Sequence, residues 1–544
     1  MFDLIIKNGV IIDGTGNKRY SADIGVKDNK ICNIITKLDE VHAKEIIDAE
    51  GLIVCPGFID MHGHSDFTLF TNNKGESKIR QGITTEVVGN CGFTAGPYTE
   101  EHFDDLMQYL ANTIVLKDEQ KKNWKWKSQI DFVEDFSKDG LSFNVVPLVG
   151  HGTIRVAIMG FEKRKPTNDE LNKMIDLLNK EMENGLFGLS TGLEYEPGSY
   201  AETEELIELC KVVEKYGGIY TSHMKNEGKH VLECIEEAIE IGRKSGVSVE
   251  ISHLKAQYKA NWGKVNEALE MIDGANKNGF DIGFDVYPYI AFGSGLLDLM
   301  PPWIKVEGPK KMIQLLMDDS IREKVIKDMQ SDSEEWENPM IIKDWDKTIK
   351  IAMLKTDKNK KYEGRTIREI AEDMEVTAFE AVIKLMIEEE ASIKCIYFAM
   401  CEEDLEIIMK HPKAKFCTDG RAVATYGELG KGSVHPRYYG TYPRILGHYA
   451  REKNIMTLEE VVKKSTLYPA KKLNIKDRGV LKEGNIADIT IFDKDKVIDV
   501  ATFDNPHQYP VGIEYVIVNG KIVIAKGEHT GQLPGIVLKH KINQ

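Results

Sequence analysis

The chain has 544 residues, of which 42% are hydrophobic and 29% are charged, an ordinary balance for a globular protein. Its formal net charge of −16 argues against nucleic acid or an anionic membrane as the main partner, because both attract basic surfaces. The length exceeds what one small core supports, so we expect one large domain and one accessory domain.

The apolar runs and the cysteines bear on the cellular location of the protein. No apolar run reaches the ~20 residues that span a bilayer. The start, MFDLIIKNGVIIDG, lacks the basic segment of a cleaved signal and continues directly into strand-like alternation. Since the eight cysteines form neither a CxxC pair nor a dense cluster, we expect a reduced, cytoplasmic protein without a membrane partner.

The two ends of the chain predict one small β-domain. The first fifty residues alternate short apolar runs with the turn dipeptides NG, DG and DN, which indicates antiparallel strands. The last seventy residues repeat this pattern in ADITIFD and GIEYVIVNGKIVIAKG. Because neither end can form a stable sheet by itself, residues 1–56 and 474–544 are expected to form a β-sandwich domain together.

Residues 57–473 predict alternating strands and helices. Amphipathic stretches such as DELNKMIDLLNKEMEN separate short apolar runs, which implies a parallel sheet with helical crossovers. We favour a closed α/β barrel over an open sheet because no glycine-rich phosphate loop follows an early strand. Nine runs qualify as strands, one more than a barrel of eight needs, and the pattern does not identify the spare one. They are GFIDMH, TTEVVGN, FNVVPLVGH, GLFGLSTG, GIYTSH, VSVEISH, DIGFDVYPY, CIYFAM and KFCTDG.

Two stretches are longer than a simple crossover. Residues 98–140 include WKWKSQIDFVEDF, which predicts extra helix, and residues 296–365 are strongly charged and carry three of the six tryptophans. We predict that 296–365 is a lid over the site, with a plain surface excrescence as the alternative.

Potential metal ligands end several of the predicted strands. The carboxyl ends of parallel barrel strands converge on one face, where active sites form. Each ligand alone has a simpler explanation, such as a helix cap for the aspartate or a small buried residue for the cysteine. Those explanations do not predict repeated placement at the same strand end, so a metal site is predicted. Its candidate ligands are His62, His64, Cys91, His223, His253 and Asp419.

An ordered set of longer motifs runs from about residue 5 to residue 538. They are PGFIDMHGHSD, GNCGFTAGP, GHGTIR, STGLEYEPG, YTSHMKNEG, ISHLKA, DVYPY, TDG, HPRYYGTYPRILG and the closing GIEYVIVNGKIVI and GQLPGIVL. In this order they resemble the D-aminoacylase (N-acyl-D-amino-acid deacylase) family of the amidohydrolase superfamily. The resemblance implies a (β/α)8 barrel with a small β-sandwich built from both termini.

The resemblance also implies the metal and the chemistry. It assigns a tight Zn2+ site to Cys91, His223 and His253, and a second, weaker position to His62, His64 and Asp419. A thiolate and two imidazoles suit zinc and leave one coordination position open. The implied reaction is hydrolysis of an N-acyl-D-amino acid to the free D-amino acid and a carboxylate. Metal-activated water would attack, and Asp419 would serve as general base and acid.

Four residues are candidates for binding the free carboxylate of such a substrate. Arg437 can clamp a carboxylate bidentately, and Lys255 shares the strand-end parity of His253. The resemblance assigns the contacts to Arg437, Lys255, Tyr287 and Tyr195. Core packing is the alternative for the tyrosines, and a surface ion pair is the alternative for Arg437.

The chain departs from the family pattern after DVYPY. Family members commonly carry small hydroxyl residues there, whereas this chain has IAFGSG, so Gly293 stands where a substrate-contacting serine is expected and Ser294 is next to it. The segment AVATYGELGKGSV, between Asp419 and Arg437, is also long. Both departures bear on side-chain preference and leave the metal ligands untouched.

Other functions stay open at this point. The first is another amidohydrolase acting on dipeptides or cyclic amides, such as a dipeptidase- or dihydropyrimidinase-like enzyme. The second is a non-catalytic scaffold, although all six candidate ligands are present. A third possibility is a purely structural metal. Structural zinc sites are usually closed by four protein ligands, and the second cluster of His62, His64 and Asp419 would have no role in such a site. D over L stereochemistry follows from the resemblance alone, and the oligomeric state stays open.

Overall fold

The structure is a computed structural model that describes residues 1–38, 42–111, 123–306, 308–333 and 336–541. The strands are β1 Phe2–Ile11, β2 Tyr20–Lys27, β3 Lys30–Ile35, β4 Ala43–Asp48, β5 Ile53–Pro56, β6 Phe58–Asp60, β7 Ile83–Val88, β8 Asn144–Pro147, β9 Val149–Gly150, β10 Gly188–Gly192, β11 Ile219–His223, β12 Ser248–Ile251, β13 Ile282–Val286, β14 Phe292–Gly295, β15 Ile349–Met353, β16 Lys394–Tyr397, β17 Ala414–Phe416, β18 Ile489–Phe492, β19 Ile513–Val518, β20 Lys521–Ala525 and β21 Glu528–His529.

The α-helices are α1 Glu76–Ile79, α2 Phe103–Tyr109, α3 Gln129–Phe136, α4 His151–Met159, α5 Asn168–Glu183, α6 Thr203–Lys215, α7 Val231–Ser245, α8 Val265–Lys277, α9 Pro302–Lys305, α10 Gly308–Leu316, α11 Asp319–Met329, α12 Ile367–Met374, α13 Ala378–Glu388, α14 Glu402–Lys410, α15 Arg437–Arg444, α16 Leu458–Ser465 and α17 Leu467–Lys472. A π-helix, Ile445–Glu452, continues α15. In the described ranges no helix is both long and apolar enough to cross a bilayer.

Strands from both ends of the chain share one nine-stranded sheet. Its order is β21-β20-β19-β18-β5-β1-β2-β3, with β4 also paired to β1. Strand β18 joins the two ends by pairing antiparallel with β5. The first fifty residues are not wholly antiparallel as predicted, because β4 and β5 both run parallel to β1. After β3 the chain crosses to the other side of β1, and a crossover of that kind returns in the same direction.

The middle of the chain forms two parallel sheets. One has the order β17-β13-β12-β11-β10-β9 and the other has the order β6-β7-β8. Only Leu148 separates β8 from β9, and a parallel bridge between Gly63 and Gly420 connects the segments that follow β6 and β17. These strands are almost entirely buried, as expected for parallel strands covered on both faces.

The crossover helices are amphipathic because their apolar residues recur at helical spacing. Helix α5 begins at a capping box, in which the Thr167 side chain accepts from the Glu170 amide and Glu170 reaches back to the Thr167 amide. It buries Met174, Leu178 and Met182 toward the sheet. The periodicity in the sequence therefore predicts the buried face of this helix correctly.

Eight of the nine predicted strand runs lie in the two parallel sheets. The ninth, CIYFAM, contains β16, which pairs antiparallel with β14 and β15 in a separate sheet. That sheet packs with α10–α13 around its own hydrophobic cluster, which includes Leu299, Ile351, Leu385 and Tyr397. The segment 296–365 therefore contributes to a packed core of its own. In residues 98–140 the extra helix is α2 and α3, while 112–122 lie outside the described residues.

Candidate metal centre

The six candidate ligands stand at the carboxyl ends of parallel strands. His223 is the last residue of β11, and His253 follows β12 by two residues. Cys91 and Asp419 each follow their strands, β7 and β17, by three residues. His62 and His64 follow β6 by two and four residues. Since all of these strands are parallel members of the two sheets, their ends converge on one face.

The three residues predicted for the tight site form a compact triangle. Cys91 Sγ lies 3.7 Å from His223 Nδ1 and 3.9 Å from His253 Nε2. The two histidine nitrogens are 3.0 Å apart. Ligand atoms bound to one tetrahedral zinc lie about 3.3–3.6 Å apart, so these spacings are close to what one ion requires.

The second group shares this space. His62 Nε2 and His64 Nε2 are 3.2 Å apart, and Asp419 Oδ1 lies 3.2 Å from His64 Nε2 and 3.7 Å from His62 Nε2. Cys91 Sγ is also only 3.3 Å from His62 Nε2. The cysteine thus lies between the two groups, and His62, Cys91 and His253 form a third arrangement that could hold an ion.

Carboxylates orient the two histidines of the tight triangle. His223 Nε2 lies 2.9 Å from Glu194 Oε2, and His253 Nδ1 lies 2.9 Å from Glu227 Oε1. These contacts direct the other ring nitrogen of each histidine toward Cys91, an arrangement that metal-ligating histidines commonly show. Burial and the charge of Asp419 raise the pKa of the Cys91 thiol, so a cation in this space would be needed to hold it as a thiolate. The donor set therefore fits zinc.

A buried ion cluster lies behind the ligands. The Lys78 ammonium donates to Asp60 Oδ2 at 2.9 Å and to Thr418 Oγ1 at 2.5 Å, and lies 3.0 Å from Glu86 Oε1. Asp60 accepts from the amide of Thr418 at 2.8 Å. A Cβ added at Gly63 would lie only 1.8 Å from Glu86 Oε1, which explains the glycine between the paired histidines. The cluster fixes the segments that carry His62, His64 and Asp419.

Arg437 lies beside Asp419 with unused hydrogen-bonding capacity. Its Nη2 is 3.0 Å from Asp419 Oδ2, and its guanidinium lies 4.6 Å from the Tyr287 ring centroid. Arg437 is 4% exposed, yet its Nε and Nη1 have no hydrogen-bond partner among the described residues, and neither does the Tyr287 hydroxyl. A buried cation with free donors fits the predicted carboxylate contact better than the alternative of a surface ion pair.

Lys255 and Tyr195 are placed differently from Arg437. The Lys255 ammonium donates to both oxygens of Glu227 at 2.6 Å, so its charge already has a partner. Tyr195 packs its ring 4.8 Å from that of His223. His151, which belongs to the GHGTIR motif, is fully buried with its Nε2 2.8 Å from Glu205.

Sequence reasoning missed Glu194, Glu227 and Lys78. The two glutamates lie inside quoted motifs, STGLEYEPG and YTSHMKNEG, and Glu227 follows His223 by four residues. A search for carboxylates near each predicted histidine would have found Glu227, but not Glu194, which lies 29 residues before His223. No local pattern marks Lys78, because its partners belong to β6, β7 and the segment after β17.

Comparison with known proteins identifies the family. The chain matches the model of the Amidohydrolase family over residues 45–292 and 433–524. The D-aminoacylase of Alcaligenes xylosoxydans xylosoxydans is 32% identical over 537 residues, which cover 99% of this chain and 97% of that protein. A solved N-acyl-D-glutamate deacylase of Bordetella bronchiseptica, complexed with zinc and a phosphonate mimic of the tetrahedral intermediate, is 32% identical with a TM-score of 0.81 and 99% of both chains covered.

A solved structure of D-aminoacylase, described as having a binuclear metal center with one-metal activation and second-metal attenuation, is 31% identical with a TM-score of 0.79. It covers 99% of this chain and 100% of its own. The family predicted from the motifs is thereby confirmed: the chain belongs to the amidohydrolase family, in its D-aminoacylase branch.

Proposed function

We propose that this protein is a zinc amidohydrolase that hydrolyses N-acyl-D-amino acids to a free D-amino acid and a carboxylate. The observation that carries the proposal is the joint placement of Cys91, His223 and His253 within 3.9 Å of one another. Relatives that act on N-acyl-D-amino acids align with the chain over 99% of its length. The D stereochemistry rests on those relatives.

We further propose that the strands of the two parallel sheets close into a (β/α)8 barrel, in which β8 and β9 count as one strand. Residues 1–56 and 474–544 would form a β-sandwich domain. The strand orders and the bridge between Gly63 and Gly420 support closure. Residues 57–473 would form the barrel domain, with 296–365 as a lid. All eight cysteines are free, which supports a reducing, cytoplasmic location.

Zinc would be held by Cys91, His223 and His253, with a second, weaker position at His62, His64 and Asp419. When bound, zinc would polarise a carbonyl and lower the pKa of water to about 7. The remaining contributions come from the side chains around that position.

Asp419 is the candidate general base and acid. Burial acts to raise its pKa, but the Arg437 guanidinium and the neighbouring histidines hold that pKa well below its usual range. The carboxylate is therefore ionised at neutral pH and can take a proton from the attacking water. It can then return this proton to the leaving nitrogen, which needs it to depart as an amine.

Arg437 and Tyr287 orient the substrate. The free donors of Arg437 and the unpartnered Tyr287 hydroxyl can bind the α-carboxylate of the N-acyl amino acid. The assignment of Lys255 and Tyr195 as substrate contacts stays a prediction. In this structure Lys255 neutralises Glu227 and so supports the orientation of His253.

A hydrolysis screen tests the proposal. The chelated protein and the zinc-reconstituted protein are assayed with paired D and L forms of N-acetyl amino acids and with dipeptides. We expect zinc-dependent release of the D-amino acid from the D forms. Activity on L forms alone would overturn the stereochemistry, and activity on dipeptides alone would overturn the deacylase assignment.

A further inference from the structure

His435, in the HPRYYG motif, is a buried histidine to which the proposed mechanism gives no role. It is 3% exposed and lies two residues before Arg437, the first residue of α15. Its Nδ1 accepts a hydrogen bond from the Arg437 amide at 3.0 Å, and its Nε2 lies 2.9 Å from the Ala291 carbonyl oxygen. Both ring nitrogens therefore have a protein partner.

These two partners define which ring nitrogen of His435 carries a proton. A backbone amide can only donate, so Nδ1 must be unprotonated, and a carbonyl oxygen can only accept, so Nε2 must be protonated. A doubly protonated ring would direct a second N–H against the Arg437 amide. Burial and the Arg437 guanidinium lower the pKa of His435 well below its usual value, which favours the neutral ring.

The two hydrogen bonds of His435 connect the start of α15 to the segment after β13. Ala291 is fully buried in that segment, four residues after Tyr287. Beside this connection the Arg437 guanidinium lies 4.6 Å from the Tyr287 ring centroid. Arg437 and Tyr287 are the two residues proposed to bind the α-carboxylate, so His435 joins the two segments whose separation decides that contact.

Aromatic side chains restrict the His435 ring. Its centroid lies 5.2 Å from that of Tyr289 and 5.0 Å from that of Phe503, with interplanar angles of 89° and 74°. Edge-to-face packing of this kind favours one orientation of the ring. The acceptor nitrogen therefore stays directed at the Arg437 amide.

The Arg437 amide needs such an acceptor because it lies at the start of a helix. The first amides of an α-helix have no partner within the helix, and the His435 ring supplies one. The Arg437 side chain is held less firmly, since Nη2 lies 3.0 Å from Asp419 Oδ2 while Nε and Nη1 have no hydrogen-bond partner among the described residues. The backbone contact thus fixes the point from which the guanidinium extends.

We infer that His435 is a positioning residue for the α-carboxylate of the substrate: its Nδ1 holds the Arg437 amide, and its Nε2 ties that amide to the segment that carries Tyr287. The inference rests on the proposed function and adds a residue that touches neither substrate nor metal. Because His435 acts on substrate binding through Arg437, its loss should raise KM and leave kcat nearly unchanged.

The test compares KM and kcat for N-acetyl-D-methionine in the zinc-loaded wild type, His435→Asn and His435→Gln. Asparagine places an acceptor oxygen near the position of Nδ1. Glutamine places its amide group near the position of Nε2 and leaves the Arg437 amide unpaired. We expect His435→Gln to raise KM by about 10-fold or more and His435→Asn to stay within about 3-fold of the wild type. An unfolded fraction lowers kcat but not KM, so a loss of stability does not imitate this result.

His411→Gln is the matched control, because His411 Nδ1 accepts from the amide of Lys413, also two residues later, at 3.3 Å. His411 precedes β17, at the end opposite Asp419, so the control should keep the wild-type KM. Equal KM values for the two His435 variants would overturn the positioning role, whether those values match the wild type or not. Failure of the zinc-loaded wild type to hydrolyse any D substrate would overturn the proposed function, and the role of His435 with it.

Discussion

Three of the candidate ligands adopt left-handed backbone conformations. The φ angles of Cys91, His253 and Asp419 are 54°, 37° and 43°. Such angles cost a non-glycine residue about 1–3 kcal/mol and persist only where the surroundings impose them. Here the His253 amide donates to Asp285 Oδ1 at 2.7 Å and the Asp419 amide donates to the His62 carbonyl at 2.8 Å. The chain thus holds unfavourable local geometry at the points where it presents its ligands.

Replacing Asp419 by asparagine tests the proton-transfer role. Asparagine keeps the size of the side chain but cannot accept the proton, so we expect kcat to fall by about 10²–10⁴-fold. Zinc held by Cys91, His223 and His253 should remain, which metal analysis of the same sample checks. A variant with wild-type kcat would remove Asp419 from the mechanism.

Gly293 offers a second test at the residue scale. Because a Cβ here would meet only Arg437 Nη2 and the Cys395 carbonyl, both at 3.8 Å, a serine fits without displacement. Its hydroxyl can add one hydrogen bond to the bound α-carboxylate, so Gly293→Ser should lower KM by about 2–10-fold with little change in kcat. Gly293→Ala supplies the Cβ without the hydroxyl and should keep the wild-type KM. Equal KM values for both variants would place the carboxylate elsewhere.

At the scale of elements, Lys78 on α1 connects β6, β7 and the segment after β17. We expect Lys78→Met to weaken metal binding at His62, His64 and Asp419 by about 10–100-fold, because residues that orient ligands have effects of that size. The tight position should keep its affinity. Two-site metal titration measures both.

Lys464→Met is the control for the loss of a buried lysine. Lys464 is 5% exposed and donates to the Met409 carbonyl at 2.7 Å, away from the ligands. Equal weakening of metal binding in both variants would mean that Lys78 acts only through stability.

Helix α5 carries a carboxyl group that makes stability depend on pH. Burial raises the pKa of Glu181 to about 7 from an ordinary value of 4.5. Glu181 accepts from the Gln129 amide at the start of α3, but its Oε2 has no partner among the described residues. The pKa of Glu181 is therefore higher in the folded protein than in the unfolded chain. The protonated carboxyl group makes its full contribution to the free energy of unfolding below pH 4.5, and this contribution is lost as pH rises through about 7.

Glu181→Gln removes this titration and keeps an acceptor for Gln129. We expect the variant to gain stability over the wild type between pH 5 and pH 8, by up to about 3 kcal/mol. Denaturant unfolding of both proteins at the two pH values measures the difference. Parallel pH profiles would show that the carboxyl group ionises freely in the folded protein.

At the scale of the whole molecule, local patterns predicted most of the parallel strands and the family. Strand runs and helical periodicity act over a few residues, so β6–β13 and the amphipathic face of α5 could be predicted from the sequence. The spare run was not identifiable, because CIYFAM is as apolar as a buried parallel strand and only its pairing with β14 and β15 separates it. The parallel pairing of β4 and β5 with β1 depends on a crossover that turn dipeptides do not encode.

The candidate site, like the fold, could be predicted only in part from the sequence. The six candidate ligands were predictable as a group because strand ends converge, whereas the choice of Cys91, His223 and His253 as the tight site came from the family resemblance. Glu194 and Lys78 were not predictable as their supporting partners, since Glu194 meets His223 across 29 residues and Lys78 meets Thr418 across 340. Such pairs exist only once the tertiary structure brings distant segments together.

Zinc-edge X-ray absorption on the protein loaded with one zinc per chain tests the central claim most directly. We predict one sulfur ligand at about 2.3 Å and nitrogen ligands at about 2.0–2.1 Å, with the sulfur lost in Cys91→Ser, which leaves the other seven cysteines in place. A spectrum without sulfur, or one that Cys91→Ser does not change, would contradict the assignment of Cys91, His223 and His253 to one zinc ion.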